Sequence, residues 1–244
     1  MEKELIYGKS PVLSVLENNK NITQIYIQRS FNDPKTMNII KKRNLRYEIV
    51  DKKVLDRVTN FANHQGIAVW IPGYTYLSLE ELLNKIEVIK NPCILMLDGI
   101  EDPHNLGAIL RSVDCTNCQG VIIGKHNQVQ LNATVAKVST GAIEHVDVVQ
   151  VTNLTRTLQK LKEKGYWIVG AEAHESSDFR EVNYDMPVVI VVGSEGKGIS
   201  SLVLKHCDFR VRIPMAGHVN SLNVSVATAL LLYQVYLSRN PLKK

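Results

Sequence analysis

The chain has 244 residues, of which 45% are hydrophobic and 22% are charged, and these values are ordinary for a globular protein. They exclude the disordered, collagen-like and mucin-like classes. No apolar run approaches the roughly 18–20 residues that a membrane span needs, and residues 1–5 contain no apolar leader. Four cysteines are too few for a disulfide scaffold in a chain of this length. We therefore expect a reduced, cytoplasmic protein without a membrane partner.

The positive charge is concentrated in the first third of the chain. Residues 1–71 hold 12 Lys and Arg against 7 Asp and Glu, whereas residues 72–244 hold 17 of each, so the first segment carries the whole net charge of +5. A basic segment joined to a neutral one is typical of a protein that meets a polyanion with one part only. The candidate phosphate contacts are Lys41, Lys42, Arg43 and Arg46. A solvated helix face is the alternative interpretation of this cluster.

Residues 1–71 are predicted to form a small α/β unit. Apolar spacing indicates helices at about 10–18, 34–43 and 52–59, and strands at 22–27, 47–50 and 67–71. Ser10 is expected to cap the first helix, with Pro11 in its first turn. Pro72 and Gly73 end the unit. Residues 72–91 are predicted to be a linker that carries a short helix at 77–89.

Residues 92–244 have a different pattern, in which short apolar runs alternate with helical spacing. Strands are predicted at 94–97, 120–123, 146–151, 167–171, 188–192 and 209–213. Helices are predicted near 105–117, 132–140, 153–164, 199–206 and 223–239. Continuous apolar runs of this length are typical of strands buried on both faces, so a parallel sheet flanked by helices is expected. The last helix is apolar on most sides, and we expect it to be buried.

Three segments carry polar residues at strand ends where no core needs them. In the first, the predicted strand 94–97 is followed by an acidic loop and a helix that contains Asn105 and Arg111. Asn105 is expected near the cap of that helix. Gly107 and Ala108 are small residues that would let a backbone or a ligand approach closely.

The second segment, residues 193–198, has three glycines in six positions after a predicted strand. Such a loop can surround a ligand with backbone groups, although its spacing matches neither a P-loop nor a dinucleotide fingerprint. The third segment, residues 211–227, places Asn220, Ser221 and Asn223 before the terminal helix. Asn223 or Ser221 would make a natural N-cap, and the segment holds more hydrogen-bonding side chains than one cap requires.

Together the three segments resemble the sequence motifs of the SpoU/TrmH family of RNA 2′-O-ribose methyltransferases, within the SPOUT class. The pattern N-x-G-x-x-x-R appears from Asn105 to Arg111, the glycine-rich motif at 193–196, and the third motif at 213–215 and 221–227. Residues 1–71 resemble the family's ribosomal-protein-like, RNA-binding substrate domain, on the segments 7–12 and 63–68. The whole chain is most similar to the branch that methylates a guanosine ribose in 23S ribosomal RNA.

The resemblance implies a fold and a cofactor. Residues 92–244 would form a parallel sheet closed by a C-terminal deep trefoil knot, an arrangement that chain physics alone does not suggest, and two copies would form a homodimer. The implied cofactor is S-adenosylmethionine. The residues implied to bind it are Gly193, Ser194, Gly196, Ile213, Met215 and Leu222.

The resemblance also implies catalytic roles. Arg111 occupies the position of the family's catalytic arginine. Because guanidinium groups are not deprotonated in proteins, we expect Arg111 to stabilise developing alkoxide charge rather than to act as a simple base. The residues implied to orient Arg111 and the ribose are Asn105, Glu195, Ser221 and Asn223. Since the 2′-hydroxyl distinguishes RNA from DNA, RNA is the expected substrate, and ribosomal RNA the expected partner.

Two other interpretations stay open, and one is set aside. The target could be a transfer-RNA guanosine or another ribosomal nucleotide, or the chain could be a non-catalytic RNA-binding or ribosome-assembly protein that kept the fold. Cys115 and Cys118 form a C-x-x-C pair, but no second pair follows, and neither His126 nor Cys207 stands at zinc-ligand spacing. A metal site is therefore not predicted.

Overall fold

The structure is a computed structural model that describes residues 3–17, 21–173 and 176–242. It divides into two compact units, residues 1–75 and residues 76–244, and each combines helices with one β-sheet. The predicted mixed α/β class is thereby confirmed. Each unit has its own core and is described by itself.

The first unit is a four-stranded sheet with three helices. Its strands are β1 (Lys3–Tyr7), β2 (Gln24–Gln28), β3 (Glu48–Val50) and β4 (Ile67–Pro72), and its helices are α1 (Lys9–Glu17), α2 (Pro34–Lys42) and α3 (Lys52–Val58). The strand order is β1-β4-β2-β3, with β4 antiparallel to both neighbours and β2 parallel to β3. The prediction missed β1, because this strand is short and none of its residues is fully buried. Helix α1 begins at Lys9, so Ser10 lies inside the helix rather than at its cap.

The core of the first unit lies between the sheet and helices α1 and α2. One predicted phosphate contact belongs to this packing. Arg43, expected on a solvated face, is half-buried at the end of α2, and its Nη1 donates a hydrogen bond to the carbonyl oxygen of Leu16 at 2.9 Å. Lys41, Lys42 and Arg46 are exposed. Arg43 therefore joins α2 to α1, and the other three cations remain candidates for RNA.

The second unit is built on a seven-stranded sheet in which every neighbouring pair is parallel, as predicted. Its strands are β5 (Cys93–Asp98), β6 (Gly120–Gly124), β7 (Val148–Val151), β8 (Trp167–Ala171), β9 (Ser177–Asp178), β10 (Val188–Gly193) and β11 (Phe209–Arg212). The strand order is β7-β6-β5-β10-β8-β11-β9. All six residues of β10 are buried, which explains its continuous apolar run. The two-residue strand β9 is too short for any periodic signal, and the prediction missed it.

Helices cover the two faces of this sheet. They are α4 (Leu79–Ile86), α5 (Pro103–Cys115), α6 (Ala133–Ser139), α7 (Leu154–Glu163), α8 (Ser201–Leu204) and α9 (Val224–Arg239), and a short 3-10 turn spans Ala142–Glu144. Side chains of α4, α7 and α8 share one core with the sheet. Helix α5 packs against α6 and α9, and α9 also contacts β10. Strands β5 and β10 at the centre of the sheet are therefore buried on both faces.

The segment predicted as a linker, residues 72–91, is mostly part of the second unit. Leu82 and Ile86 of α4 are buried in its core, and the Leu77 amide donates to the Val148 carbonyl at 2.9 Å. Ser78 caps α4 in a reciprocal capping box with Glu81. The division between the units falls between residues 75 and 76 because the apolar stripe of α4 buries itself against the sheet.

Helix α9 differs from its prediction as a buried helix. One side is buried through Val224, Thr228, Leu231, Leu232 and Val235. The other side exposes Val226, Leu230, Tyr233, Tyr236 and Leu237. An apolar composition on both sides therefore does not mean burial on both sides in the single chain. Among the residues that the structure describes, no helix is long and apolar enough to cross a membrane.

Replacing Leu82 by alanine tests whether α4 belongs to the core of the second unit. Leu82→Ala should lower the free energy of unfolding by about 2–5 kcal/mol, the range for truncating a buried leucine. Val88 lies just beyond α4 and is 93% exposed, so Val88→Ala should change stability by less than about 0.5 kcal/mol. Urea unfolding of the full chain measures both values. Equal effects of the two substitutions would show that α4 is a detachable linker helix.

Candidate functional site

A cavity of about 310 Å³ opens beside the carboxyl ends of β5 and β10. The two strands are neighbours, and Gly193 stands opposite Asp98 in their register. From β5 the chain continues to β6 on one side, whereas β10 and β8 lie on its other side. In open α/β sheets, ligands bind in the crevice at such a switch in strand order. The lining residues are Gly99, Ile100, Glu101, Asp102, Asn105, Ser194, Glu195, Gly196, Lys197 and Val224.

The first and second predicted segments meet at this cavity. Asp98 ends β5, and its Oδ2 accepts a hydrogen bond from the backbone amide of Ser200 at 2.8 Å. Gly99 then turns the chain with φ +81°, a left-handed conformation that glycine adopts without strain. The carboxylate of Asp98 thus attaches the segment after β10 to the end of β5.

The first and third predicted segments are joined by two asparagines. The N-cap of α5 is Asp102, whose Oδ1 accepts from the His104 amide at 2.9 Å, so Asn105 lies near the cap as expected. Asn105 lies inside the first turn, where its Oδ1 accepts a hydrogen bond from Nδ2 of Asn223 at 3.0 Å. Asn223 in turn caps α9, since its Oδ1 accepts from the Ser225 amide at 3.0 Å. One side chain therefore starts α9 and holds it to α5.

The glycine-rich segment is a closed hairpin. The Ser194 amide donates to the Gly198 carbonyl at 3.1 Å, and the Gly198 amide donates to the Ser194 carbonyl at 2.9 Å. A Cβ at Gly193 would lie 2.0 Å from the carbonyl carbon of Gly198. We expected Gly193 to admit a ligand, but the atoms that require a glycine at this position belong to the hairpin itself. The turn residues 195–197, by contrast, line the cavity.

Gly107 also has a packing role, the close backbone approach that was one of its two predicted roles. A Cβ there would lie 2.6 Å from Cβ of Val138 and 3.0 Å from the carbonyl oxygen of Val135. Both neighbours belong to α6, so Gly107 permits the close approach of α5 and α6. It does not line the cavity.

The remaining predicted residues lie outside the cavity wall. Arg111 is exposed on α5, and within the described residues it makes no hydrogen bond or ion pair. Ile213 and Leu222 are half-buried, and Met215 and Ser221 are exposed. These last four residues belong to the segment that connects β11 to α9. Arg111 and these four residues of the β11–α9 segment therefore do not line the cavity. The predicted residues that the structure brings together are Asn105, Asn223, Ser194, Glu195 and Gly196.

Several residues of the site had no role assigned from sequence. Glu101, Asp102 and Glu195 line the cavity, and Lys197 is the single cation among the lining side chains. Gln128 supports the wall, because its Oε1 accepts from the Ile100 amide at 2.8 Å. The sequence did contain a signal for Glu101 and Asp102, because an acidic loop directly after a buried strand indicates that residues 98–102 line a site. Gln128 had no such signal.

The C-x-x-C pair is divided between surface and core. Cys115 is exposed, whereas Cys118 is buried and its Sγ donates to the Cys93 carbonyl at 3.2 Å. All four cysteines are free thiols. The side-chain hydrogen bond with Cys93, together with burial, raises the pKa of the Cys118 thiol, which is the opposite of what a reactive thiol needs. Among residues 3–17, 21–173 and 176–242, no group of three or more His, Cys, Asp or Glu side chains could hold a metal ion.

Comparison with known proteins identifies the family of this chain. The model of the SpoU rRNA methylase family matches residues 92–233, more than half of the chain, and the model of the RNA 2′-O ribose methyltransferase substrate-binding domain matches residues 5–77. The chain belongs to the SpoU rRNA methylase family. This membership confirms the prediction of an RNA methyltransferase of the SpoU/TrmH type.

Relatives from several bacteria match over nearly the whole chain. A protein of Staphylococcus haemolyticus that carries the name of a TrmH family tRNA/rRNA methyltransferase is 45% identical, over 98% of both chains. A Bacillus subtilis protein with the same family name is 42% identical, again over 98% of both chains. These names state the family, but they do not say whether the RNA target is tRNA or rRNA.

Solved structures share the fold. The SpoU methyltransferase AviRb from Streptomyces viridochromogenes, crystallised with AdoMet, has a TM-score of 0.66 at 21% identity, covering 99% of this chain and 92% of that one. The TrmH/SpoU tRNA-modifying enzyme of A. aeolicus has a TM-score of 0.57 at 31% identity, covering 66% of this chain and 83% of that one. The first extends across both units, and the second covers about two thirds of the chain.

A matched pair of glycine substitutions tests the hairpin. Gly193→Ala places a methyl group on the backbone of Gly198, so it should lower the free energy of unfolding by about 1–3 kcal/mol, as overpacking does. A Cβ at Gly196 would meet nothing within 4 Å, so Gly196→Ala should cost less than about 0.5 kcal/mol. Thermal unfolding in the absence of ligand measures both. If Gly193→Ala were as stable as the unchanged protein, the hairpin would not be the reason for a glycine at this position.

Proposed function

We propose that this protein is a cytoplasmic, homodimeric enzyme that methylates the 2′-oxygen of a guanosine ribose in 23S ribosomal RNA with S-adenosylmethionine. The observation that carries the proposal is the cavity at the ends of β5 and β10. There Asn105 of the first motif, Glu195 of the second and Asn223 of the third come together through chain segments that are distant in sequence. A non-catalytic role would not require these polar residues at one cavity.

A transfer-RNA guanosine is the second candidate target. It is favoured by the names of the full-length relatives, which include tRNA, and by the likeness to the tRNA-modifying enzyme of A. aeolicus at 31% identity. The two-unit organisation favours ribosomal RNA, because that neighbour matches only 66% of this chain. A basic first unit could contact the larger surface that ribosomal RNA offers.

The chemistry of the site suits S-adenosylmethionine, a ligand with a sulfonium and an ammonium group. Glu101, Asp102 and Glu195 supply negative charge, while Ile100 and Val224 supply apolar surface. We assign the cofactor to the hairpin and to the β11–α9 segment. The residues assigned are Gly193, Ser194, Gly196, Ile213, Met215 and Leu222. Gly193 contributes by closing the hairpin whose turn lines the cavity.

When bound, S-adenosylmethionine supplies an electrophilic methyl group, so the residues of the chain have to align the ribose hydroxyl and assist the loss of its proton. The fixed positive charge of Arg111 stabilises the alkoxide character that develops on the 2′-oxygen. Asn105 and Asn223 hold α5 and α9 in the relative position that this requires. Glu195 and Ser221 orient the ribose and Arg111.

A second copy of the chain would complete the site. Val226, Leu230, Tyr233 and Leu237 recur at helical spacing along the exposed side of α9, which forms an apolar stripe next to α5. Exposed stripes of this kind mark contact surfaces. A partner seated there would enclose Arg111, which is exposed in the single chain.

We also assign the C-terminal trefoil knot of the family to this chain. Strand β10 lies between β5 and β8, and β11 lies between β8 and β9. After β11 the chain returns to place α9 against α5 and β10. A return of this kind is what a knotted C-terminal segment requires.

The RNA-binding role is assigned to the first unit and the methyl transfer to the second. The first unit holds the positive excess, with Lys41, Lys42 and Arg46 exposed. Its match to the substrate-binding domain of the family supports the same division.

Mapping of 2′-O-methylation in total RNA, with and without the gene, tests the function. We expect one guanosine of 23S ribosomal RNA to lose its methyl group when the gene is deleted and to regain it on complementation. Loss at a tRNA guanosine would establish the second candidate. No change in either RNA, together with no turnover of S-adenosylmethionine by the purified protein, would leave only a non-catalytic role.

Removal of the Arg111 charge tests its catalytic assignment. Arg111→Ala should reduce kcat by roughly a hundredfold or more, because it removes a group that stabilises the transition state. S-adenosylmethionine affinity should change by less than about twofold, since Arg111 does not line the cavity. Arg156→Ala, at an exposed position on α7, is the control for loss of one positive charge. The measurement is methyl transfer with saturating RNA. Normal kcat in both variants would contradict the role of Arg111.

Reversal of the exposed lysines at the end of α2 tests the role of the first unit. The double variant Lys41→Glu, Lys42→Glu should weaken RNA binding and reduce the slope of log affinity against log salt by about two, if each lysine neutralises one phosphate. Arg43 is kept, because its hydrogen bond to Leu16 is structural. Fluorescence anisotropy at several salt concentrations measures the slope. An unchanged slope would place the phosphate contacts elsewhere on the chain.

A further inference from the structure

The first unit contains a cavity of about 480 Å³ that the proposed mechanism does not use. Its lining includes Lys9, Phe31, Lys52, Phe61 and Asn63. The cavity lies beside the segment that precedes α2, whereas Lys41 and Lys42 are in the last turn of that helix. We propose that this cavity binds one unpaired RNA base, which stacks on Phe61 while the neighbouring phosphate contacts Lys9 and Lys52. The proposal rests on the proposed function in taking RNA as the ligand.

Phe61 is the observation on which the proposal depends. The side chain is 81% exposed, so it contributes little to the core. Its backbone is left-handed, with φ +62°, a conformation that is unfavourable for a bulky residue. The preceding residue, Asn60, is also left-handed, but asparagine tolerates this conformation and ends α3 there. Folding alone therefore explains Asn60 and gives no reason for an aromatic residue at Phe61.

Hydrogen bonds within the chain hold the wall of the cavity in place. His64 is buried, and its Nδ1 accepts from the Gly66 amide at 3.0 Å, so the ring proton is on Nε2 and is donated to Oδ1 of Asp56 at 3.0 Å. This side chain fixes the loop that carries Phe61 and Asn63 against α3. Gly66 has φ +82°, and a Cβ there would lie 3.2 Å from Cδ2 of Phe31. The segment 63–68, which resembles the family motif, thus builds a preformed cavity.

The chemistry of the lining matches a nucleotide. Lys9 lies with its Nζ 5.7 Å from the centre of the Phe31 ring, and its backbone amide donates to Oε1 of Gln65 at 2.8 Å. Lys52 is exposed, at the long distance of 4.0 Å from Asp56. Two ammonium groups beside an exposed aromatic ring and the amide of Asn63 can recognise an anionic backbone and a planar base with polar edges. Stacking of this kind tolerates any base, because every base has an aromatic face.

Two substitutions at Phe61 in the full chain separate stacking from general apolar contact. The probe is a short, fluorescein-labelled, single-stranded RNA of mixed sequence, and the same RNA annealed to its complement serves as the paired form. Phe61→Leu should weaken single-strand binding by about tenfold, within the range for loss of one stacked base. Phe61→Tyr should restore affinity to within about twofold, because the aromatic face is kept. Neither variant should change the salt slope, since no charge is removed.

Ile49→Ala is the matched control, because Ile49 is an apolar residue of the same unit that is 61% exposed and does not line the cavity. Its affinity should equal that of the unchanged protein, and thermal unfolding should show that all three variants are folded. The proposal is overturned if Phe61→Leu binds the single strand as tightly as the unchanged protein, or if Phe61→Tyr binds as weakly as Phe61→Leu. Either result would indicate that the ligand of the cavity is a protein.

Methyl transfer to total RNA by the unchanged protein is measured in parallel. If the unchanged protein transfers methyl groups while Phe61→Leu keeps full affinity, the stacking site fails and the proposed function stands. If Phe61→Leu loses affinity while the unchanged protein methylates no RNA, the stacking site stands and the enzyme assignment fails.

Discussion

The pairing of β5 with β10 is the constraint on which the rest of the second unit depends. The two strands are far apart in sequence, yet their register sets Gly193 opposite Asp98, so the two loops that follow them leave the sheet side by side. The hydrogen bond from the Ser200 amide to Asp98 then joins these loops directly. Local hydrogen bonds shape each loop, but the parallel pairing of the two strands brings the loops together. Burial of β10 on both faces makes that sheet stable.

Two glycines of the motifs are required by packing within the chain. Gly193 and Gly107 both occur in motifs, and both leave no room for a Cβ. In each case the excluded volume is filled by the chain itself, at the hairpin backbone and at α6. Gly196 is different, because it has open space around it and lies on the cavity wall. Space that a ligand could occupy is therefore found at the turn of the hairpin and not at its base.

Much of the second unit could be predicted because its strands are continuous apolar runs that end in polar loops, as residues 94–98 show. Strand order could not be predicted, since β10 inserts between β5 and β8 through contacts that leave no trace in local spacing. The packing of α4 against the second unit was missed, because a capping box and an apolar stripe do not indicate which surface the stripe will contact. Arg43 was assigned to RNA by charge alone, whereas the carbonyl that it binds is on another helix. Asn105 lies near the helix cap, as its sequence position indicates, and the cap itself is Asp102, three residues earlier.

Under the proposed division of roles, the separation into two units has a consequence for RNA affinity. Each unit has its own core and its own cavity, and the chain connects them directly at residues 75 and 76. When the first unit holds an RNA, the second meets the same molecule at an effective concentration set by that short connection. The catalytic cavity then needs little affinity of its own for RNA, and its binding energy remains available for the transition state. An exposed Arg111 and a small cavity would be sufficient for such a division, because in the proposed function the basic unit selects the RNA.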